Sequence, residues 1–252
     1  GMFALAIVDN NTGELIIARD PLGIKPLYFY HSSDLIVFSS EIKAILKHPK
    51  VNRTINNQSI AEYMWYGNTL GSNTFYNDIR EVLPGSFMRF PKTKSVIQTI
   101  FFKAEAVQEQ KINQADAISK TRELLEESVE RHMVSDVPVG IFLSGGVDSS
   151  AITAFASKQG KRKVNTYTAA FDFQGSSNDL ASAKSISQLF NTQHQELLIS
   201  GNDISDVIEA LTHSHDQPFG DAANIPLYMM TRAVNSEVKV VLQGDGGDEL
   251  FG

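Results

Sequence analysis

Apolar residues come in short alternating runs through the first hundred positions of the chain. Phe3 to Val8 and Glu14 to Ala18 are strand-like and flank Asp9-Asn10-Asn11-Thr12-Gly13, a stretch with hairpin-turn chemistry. Leu27 to Tyr30 and Leu35 to Phe38 repeat the arrangement across His31-Ser32-Ser33-Asp34. Ser39-Ser40-Glu41 has the composition of a helix start, and Ile42, Ile45 and Leu46 follow at helical spacing. A second short helix is expected over Ser59 to Trp65. Beyond the Pro84-Gly85 turn, Phe87 to Phe90 and Val96 to Ile100 read as a last hairpin. Several hairpins with few helices predict an antiparallel sheet for this half.

The period changes near residue 103. Residues 103–113 are polar and read as a linker between a first domain, 1–102, and a second, 114–252. From Gln114 onward, Ile118, Leu125, Val129 and Met133 form an apolar helix stripe. Strands and helices then alternate. Strands are expected at Val139 to Leu143, Val164 to Phe171, Glu196 to Ile199 and Val238 to Leu242. Helices are expected at Ser149 to Lys158, Leu180 to Phe190, Ile204 to Thr212 and Asn224 to Val234. Such alternation predicts a parallel sheet with helices on both faces, in which ligands sit at the carboxyl ends of strands.

Composition narrows the classes. The 252 residues are 42% hydrophobic and 20% charged, enough apolar material for a buried core. Lysine and arginine number 22 against 29 acidic residues, a net charge of −7, which excludes nucleic-acid binding by general basicity. There is no cysteine, hence no disulfide, thiolate metal site or cysteine nucleophile within these residues. The longest apolar run near the start, Phe3 to Val8, is too short to span a membrane and lacks a basic leader. Gly1-Met2 opens directly on a strand-like run, and Phe251-Gly252 follows immediately on a Gly- and Asp-rich turn. The expectation is an internal piece of a longer protein.

Two glycine-rich segments carry the chemistry. Leu143-Ser144-Gly145-Gly146-Val147-Asp148-Ser149-Ser150 follows a buried-type strand and opens a helix. Small residues there let backbone N–H groups converge on an anion, and the helix N-terminus adds favourable charge, so a phosphate is the natural guest. No lysine follows the glycines, and the spacing is neither that of a Walker loop nor that of a dinucleotide fingerprint. Asp148 would repel a bare phosphate and calls for an intervening Mg²⁺; an Asp-capped strand–helix turn is the ligand-free alternative. The second segment, Gln243-Gly244-Asp245-Gly246-Gly247-Asp248-Glu249, holds three carboxylates on a glycine turn at another strand end. A Mg²⁺–triphosphate complex would offset their repulsion, while a solvated acidic turn would need no ligand.

These residues resemble a known family. Ser-Gly-Gly-Val-Asp-Ser-Ser is similar to the pyrophosphate loop of ATP pyrophosphatases, the group of asparagine, GMP, NAD and argininosuccinate synthetases. Ser135-Asp136-Val137-Pro138-Val139-Gly140, Thr192-Gln193-His194-Gln195-Glu196 and Gly244 to Gly252 resemble the glutamine-dependent asparagine synthetases in particular. Gly1 to Ala4, Arg19-Asp20-Pro21-Leu22-Gly23-Ile24-Lys25-Pro26-Leu27-Tyr28 and Ser40-Glu41-Ile42-Lys43-Ala44 resemble the class II glutaminase domain. The resemblance implies an α+β antiparallel N-terminal-nucleophile-type glutaminase portion, 1–102, and an α/β parallel-sheet ATP-pyrophosphatase (HUP-like) domain, 114–252, both incomplete.

The activity so implied is ATP-dependent. ATP adenylates the side-chain carboxylate of aspartate, pyrophosphate leaves, and ammonia drawn from glutamine through a tunnel displaces AMP. By position, Leu143, Ala169, Gln243 and Gly244 would line the adenosine pocket, and Ser144, Gly145, Gly146 and Ser149 would hold pyrophosphate. Asp148 and Asp248 would bind Mg²⁺, and Asp245 would act in catalysis at the acyl-adenylate. Partners would be small molecules only, without nucleic acid or membrane, in a cytoplasmic protein for which a homodimer is allowed.

Three departures bear on this picture. The family's N-terminal cysteine nucleophile is absent, so residues 1–100 are not expected to hydrolyse glutamine. The family's helical C-terminal part is absent too. Ala222-Ala223-Asn224 stand where the family carries Arg-Ala-Ser ahead of a segment like Tyr228-Met229-Met230, and Gln243 replaces a usual serine. Without that guanidinium, a different acceptor is the rival reading: a sugar, peptide, lipid-linked or β-lactam-precursor carboxylate. A non-catalytic ATP-binding module is the third. The remaining features read as structural. His213-Ser214-His215-Asp216 is weak as a metal site, Trp65 with Tyr63 and Tyr66 reads as core or interface packing, Arg19-Asp20 with Lys25 as turn contacts, and Lys161-Arg162-Lys163 as a solvated charge run.

Overall fold

The computed structural model describes residues 1–92, 95–104, 111–159, 163–171, 177–200, 204–221 and 223–251. Lys161, Arg162, Ala222 and most of the expected linker lie outside the described residues. The chain divides into two compact units, one of residues 1–108 with 212–222, the other of residues 109–211 with 223–252.

The first unit is built on β1 (Ala4–Val8), β2 (Leu15–Arg19), β3 (Tyr28–His31), β4 (Ile36–Ser39), α1 (Ile42–Ile45), α2 (Asn57–Tyr66), β5 (Ile79–Glu81), β6 (Ser86–Phe90) and β7 (Ile97–Ile100). The strands form two antiparallel sheets rather than one, in the orders β1-β2-β6-β7 and β4-β3-β5. The first hairpin turns as its residues dictate. Asp9 accepts from the Asn11 amide and the Thr12 hydroxyl, and Gly13 takes φ +67°. Strand β5 lacks a sequence signal because only Ile79 of its three residues is apolar; that side chain is fully buried against Ile42, Ile45, Tyr30 and Val51. A separate core of Ile17, Leu27, Val82, Met88 and Phe90 fills the other sheet.

Arg19, Asp20 and Lys25 do form turn contacts. Asp20, 1% exposed, accepts from the amides of Leu22, Ile24 and Lys25. Arg19 donates to the carbonyls of Gly23, Lys25 and Val82 and to Glu81. Two expectations change. Ser39 ends β4 instead of opening α1, its hydroxyl accepting from the Glu41 amide at 3.2 Å. Trp65 is 82% exposed and Tyr66 60%, so neither is core; only Tyr63 packs inward, edge-on to Phe75. Residues 212–221 are pinned in this unit by Lys43–Asp216 at 3.1 Å and by the Gly220 amide on the Gly67 carbonyl at 2.7 Å.

The second unit carries α3 (Gln114–His132), β8 (Val139–Phe142), α4 (Val147–Gln159), β9 (Asn165–Phe171), α5 (Ser177–Leu189), β10 (Gln193–Ile199), α6 (Ile204–His215), α7 (Asn224–Val234), β11 (Val240–Leu242) and α8 (Gly247–Phe251), the last turn of α6 counting with the first unit. Its four strands are all parallel, in the order β10-β9-β8-β11. Successive strand residues face opposite sides, so the two faces read off β8 directly. Ile141 packs with Val129 of α3 and Ala156 of α4, whereas Phe142 packs with Tyr167, Val234 and Val238 on the α7 side. Of the expected α3 stripe only Val129 is buried, and Ile118 is 55% exposed. Gly140 is dictated by contact: a β-carbon there would come 2.7 Å from the Tyr167 ring, whose hydroxyl donates to Glu237 at 3.0 Å.

Candidate functional site

Strand β8 lies between β9, the route to β10, and β11, which returns on the other side. The strand order therefore reverses at the β8–β11 boundary, where open parallel sheets leave a crevice beyond their carboxyl ends. Both glycine-rich loops emerge there. After β8 the chain passes Leu143 and Ser144, turns at Gly145 with φ +81° and enters α4 at Val147. After β11 it passes Gln243 to Asp245, turns at Gly246 with φ +88° and enters α8 at Gly247.

The loops touch each other. A β-carbon at Gly244 would lie 2.8 Å from Asp148 Cβ and 3.0 Å from the Ser149 amide nitrogen. One at Gly247 would lie 2.5 Å from the Asp148 carboxylate. Gly145 and Gly246 are thus glycine for backbone conformation, Gly244 and Gly247 for space. Within the first loop, the Ser144 and Ser149 hydroxyls are 2.9 Å apart, and the Ser144 amide donates to Ser149 Oγ at 3.2 Å. Ser149 is 5% exposed, and its carbonyl accepts from the Thr153 hydroxyl.

Around this contact lies a cavity of about 400 Å³. Phe142, Leu143, Ala169, Pro226, Leu227 and Met230 give it an apolar side; Ser144, Gly146, Asp148, Ser149, Thr168, Gln243, Gly244 and Asp245 give it a polar side, with Ala223 at the start of α7. An apolar slot next to a hydroxyl- and amide-rich loop suits a planar base joined to an anionic tail. The Gln243 side-chain amide donates to Asp245.

Of the residues expected from sequence, Gly145 and Asp248 are not among the lining residues. Asp248 is exposed, directly after Gly247 in α8. Phe142, Thr168, Pro226, Leu227 and Met230 were not anticipated. The α7 residues gave a signal in the helical spacing of Leu227 and Met230, but that pattern does not separate a cavity wall from core. His213 and His215 are exposed, and among the described residues no group of three or more His, Cys, Asp or Glu side chains comes together.

The Asparagine synthase family model matches residues 120–252, more than half of the chain. The chain belongs to the asparagine synthase family. A Glutamine amidotransferase domain model matches residues 1–101. Relatives align over the whole chain. Asparagine synthetase [glutamine-hydrolyzing] 1 of Bacillus subtilis (strain 168) is 34% identical, with 39% of its own length covered. Asparagine synthetase B [glutamine-hydrolyzing] of Escherichia coli (strain K12) is 30% identical, with 43% covered. The chain spans between 36% and 49% of the length of such curated relatives. Among the described residues no helix is long and apolar enough to cross a membrane.

Proposed function

We propose that residues 114–252 form the nucleotide half of an ATP-dependent amide ligase and that residues 1–102 derive from an N-terminal-nucleophile-type glutaminase supplying its ammonia. In this reading an acceptor carboxylate oxygen attacks the α-phosphorus of ATP. The bond to the β-phosphate oxygen breaks, and pyrophosphate leaves with its electron pair. Ammonia then attacks the acyl carbon of the adenylate, loses a proton, and AMP departs, leaving an amide. The observation that carries the proposal is the contact of the two glycine loops at Asp148.

Each part of the cavity has a task. Phe142, Leu143 and Ala169 take the base with Leu227 and Met230, while the Ser144–Gly146 loop and Ser149 donate to the departing pyrophosphate. Gln243 holds Asp245 towards the acyl-adenylate. Asp148, which lines the cavity, would hold a magnesium ion through its hard carboxylate oxygens, with phosphate oxygens and water completing the shell, and Asp248, exposed on α8 outside the lining, would be the second carboxylate. When bound, it would neutralise charge on the triphosphate.

The acceptor is proposed as aspartate, with a second reading favoured by one observation. Among the described lining residues there is no Lys, Arg or His to pair a free α-carboxylate, and Ala222-Ala223-Asn224 stand in sequence where the family carries Arg-Ala-Ser. A sugar, peptide or β-lactam-precursor carboxylate fits that wall without a cation.

Calorimetric titration of the 252-residue chain with Mg-ATP tests the site. Saturable, magnesium-dependent binding is expected, weakened at least about ten-fold in Asp148→Asn; unchanged affinity would remove Asp148 from the site. AMP release by the longer parent with aspartate against other carboxylates decides the acceptor.

A further inference from the structure

The parallel ladder between β8 and β9 stops at the Phe142–Tyr167 pair. Beyond it the Leu143 amide still donates to the Tyr167 carbonyl at 2.9 Å, but no backbone N–H among the described residues reaches the Leu143 carbonyl. Leu143 is 1% exposed, so water cannot readily serve that oxygen. The Thr168 hydroxyl does: Oγ1 donates to it from the neighbouring strand, with Thr168 itself 4% exposed. Both residues line the cavity, and Ser144 follows directly.

We infer that Thr168 is a positioning residue for the nucleotide loop. A side-chain hydroxyl takes the place of the next backbone rung between β8 and β9, at the strand end from which the first glycine loop departs. The carbonyl it holds fixes the direction in which the chain leaves β8 for Ser144 to Gly146. The inference rests on the nucleotide reading of this cavity for its functional consequence, but not for its structural one.

Hydrogen exchange and Mg-ATP titration on the 252-residue chain test it together. Thr168→Val keeps the shape and removes the donor. It is expected to raise exchange across residues 143–149 about ten-fold and to weaken Mg-ATP binding by a similar factor. Thr168→Ser keeps the donor and is expected to restore both to within about two-fold. Wild-type behaviour in Thr168→Val, or exchange raised equally throughout β9 and β10 with no rescue by serine, would overturn the inference. If Thr168→Val does not fold, Thr168→Ala takes its place with the same expectations. If the wild type binds no Mg-ATP, the functional reading fails, while the valine–serine contrast in exchange still decides the role of Thr168.

Discussion

The carboxylate of Asp148 lies against the backbone of Gly247, so close that a β-carbon at 247 would sit 2.5 Å from Asp148 Cγ. An acid at the start of one helix and a glycine at the start of another thus share one small volume.

Gly247→Ala and Gly244→Ala should separate binding from stability. At 247 the displaced atoms are the end of a rotatable side chain, so stability should change by less than about 1 kcal/mol, while Mg-ATP affinity falls about ten-fold or more. At 244 the clash is with Asp148 Cβ and the Ser149 backbone, which cannot swing aside, and about 1–3 kcal/mol should be lost. Thermal melts alongside calorimetry check this; equal effects of the two substitutions would contradict it.

The first unit should weaken in acid. Burial would raise the Asp20 carboxyl, but the amides of Lys25, Ile24, Leu22 and Phe3 outweigh it and hold the group below the usual carboxylate range. Glu62 is also held low, chiefly by the Leu70 amide, against burial and with help from Gln58, Asn73 and Arg80. Both acids bind protons less readily folded than unfolded. Their contribution is complete above about pH 5.5 and is lost as pH falls through the folded-state values. Asp20→Asn should therefore be least stable relative to wild type near neutrality, with the gap in urea midpoint narrowing below about pH 5.5. A pH-independent gap would refute this account.

His194 should stay neutral to lower pH than a free imidazole. Burial pushes it down and Lys184 assists, against the opposing pull of Glu196; Nδ1 lies 3.0 Å from Thr166 Oγ1, and buried Nε2 has no hydrogen-bond partner among the described residues. The unfolded chain then takes up a proton that the folded one resists, so stability present above about pH 6.5 declines below it. An NMR titration of His194 should show a midpoint under about 6.5. His194→Gln should flatten the decline in stability between about pH 7 and pH 5.

Trp65 is the single tryptophan and 82% exposed, beside Met64 at 76%. Iodide should quench its fluorescence nearly as well as that of a free indole. Trp65→Gln should change stability by no more than about 0.5 kcal/mol. Strong protection from iodide would place Trp65 in an interface.

What the sequence disclosed follows from where each signal is local. Asp9 to Gly13 carries its own turn chemistry, and Asn224 to Val234 its own helical period, so β1, β2 and α7 were legible. Glycine loops between a strand and a helix announced themselves in the same way. Strand β5 did not, because Arg80 and Glu81 pair through backbone alone and the partner strand β3 is about fifty residues away. Core and interface packing are not separable for Trp65 in sequence, because an aromatic cluster looks the same on the inner and outer faces of a helix; its exposure removes the core alternative. Thr168 was missed because its task is to serve one carbonyl on a neighbouring strand, a need visible only once β8 and β9 lie side by side.

The pairing of β8 with β11 joins residues about 100 positions apart through a strand of three residues. A nascent chain can lay down β8, β9 and β10 early, yet the crevice has only one wall until Val240 to Leu242 dock. Closure of that wall is the late, topologically distant step of assembly. A nucleotide gripping both loops would act as a latch on the last strand, so occupancy and completion of the sheet would rise and fall together.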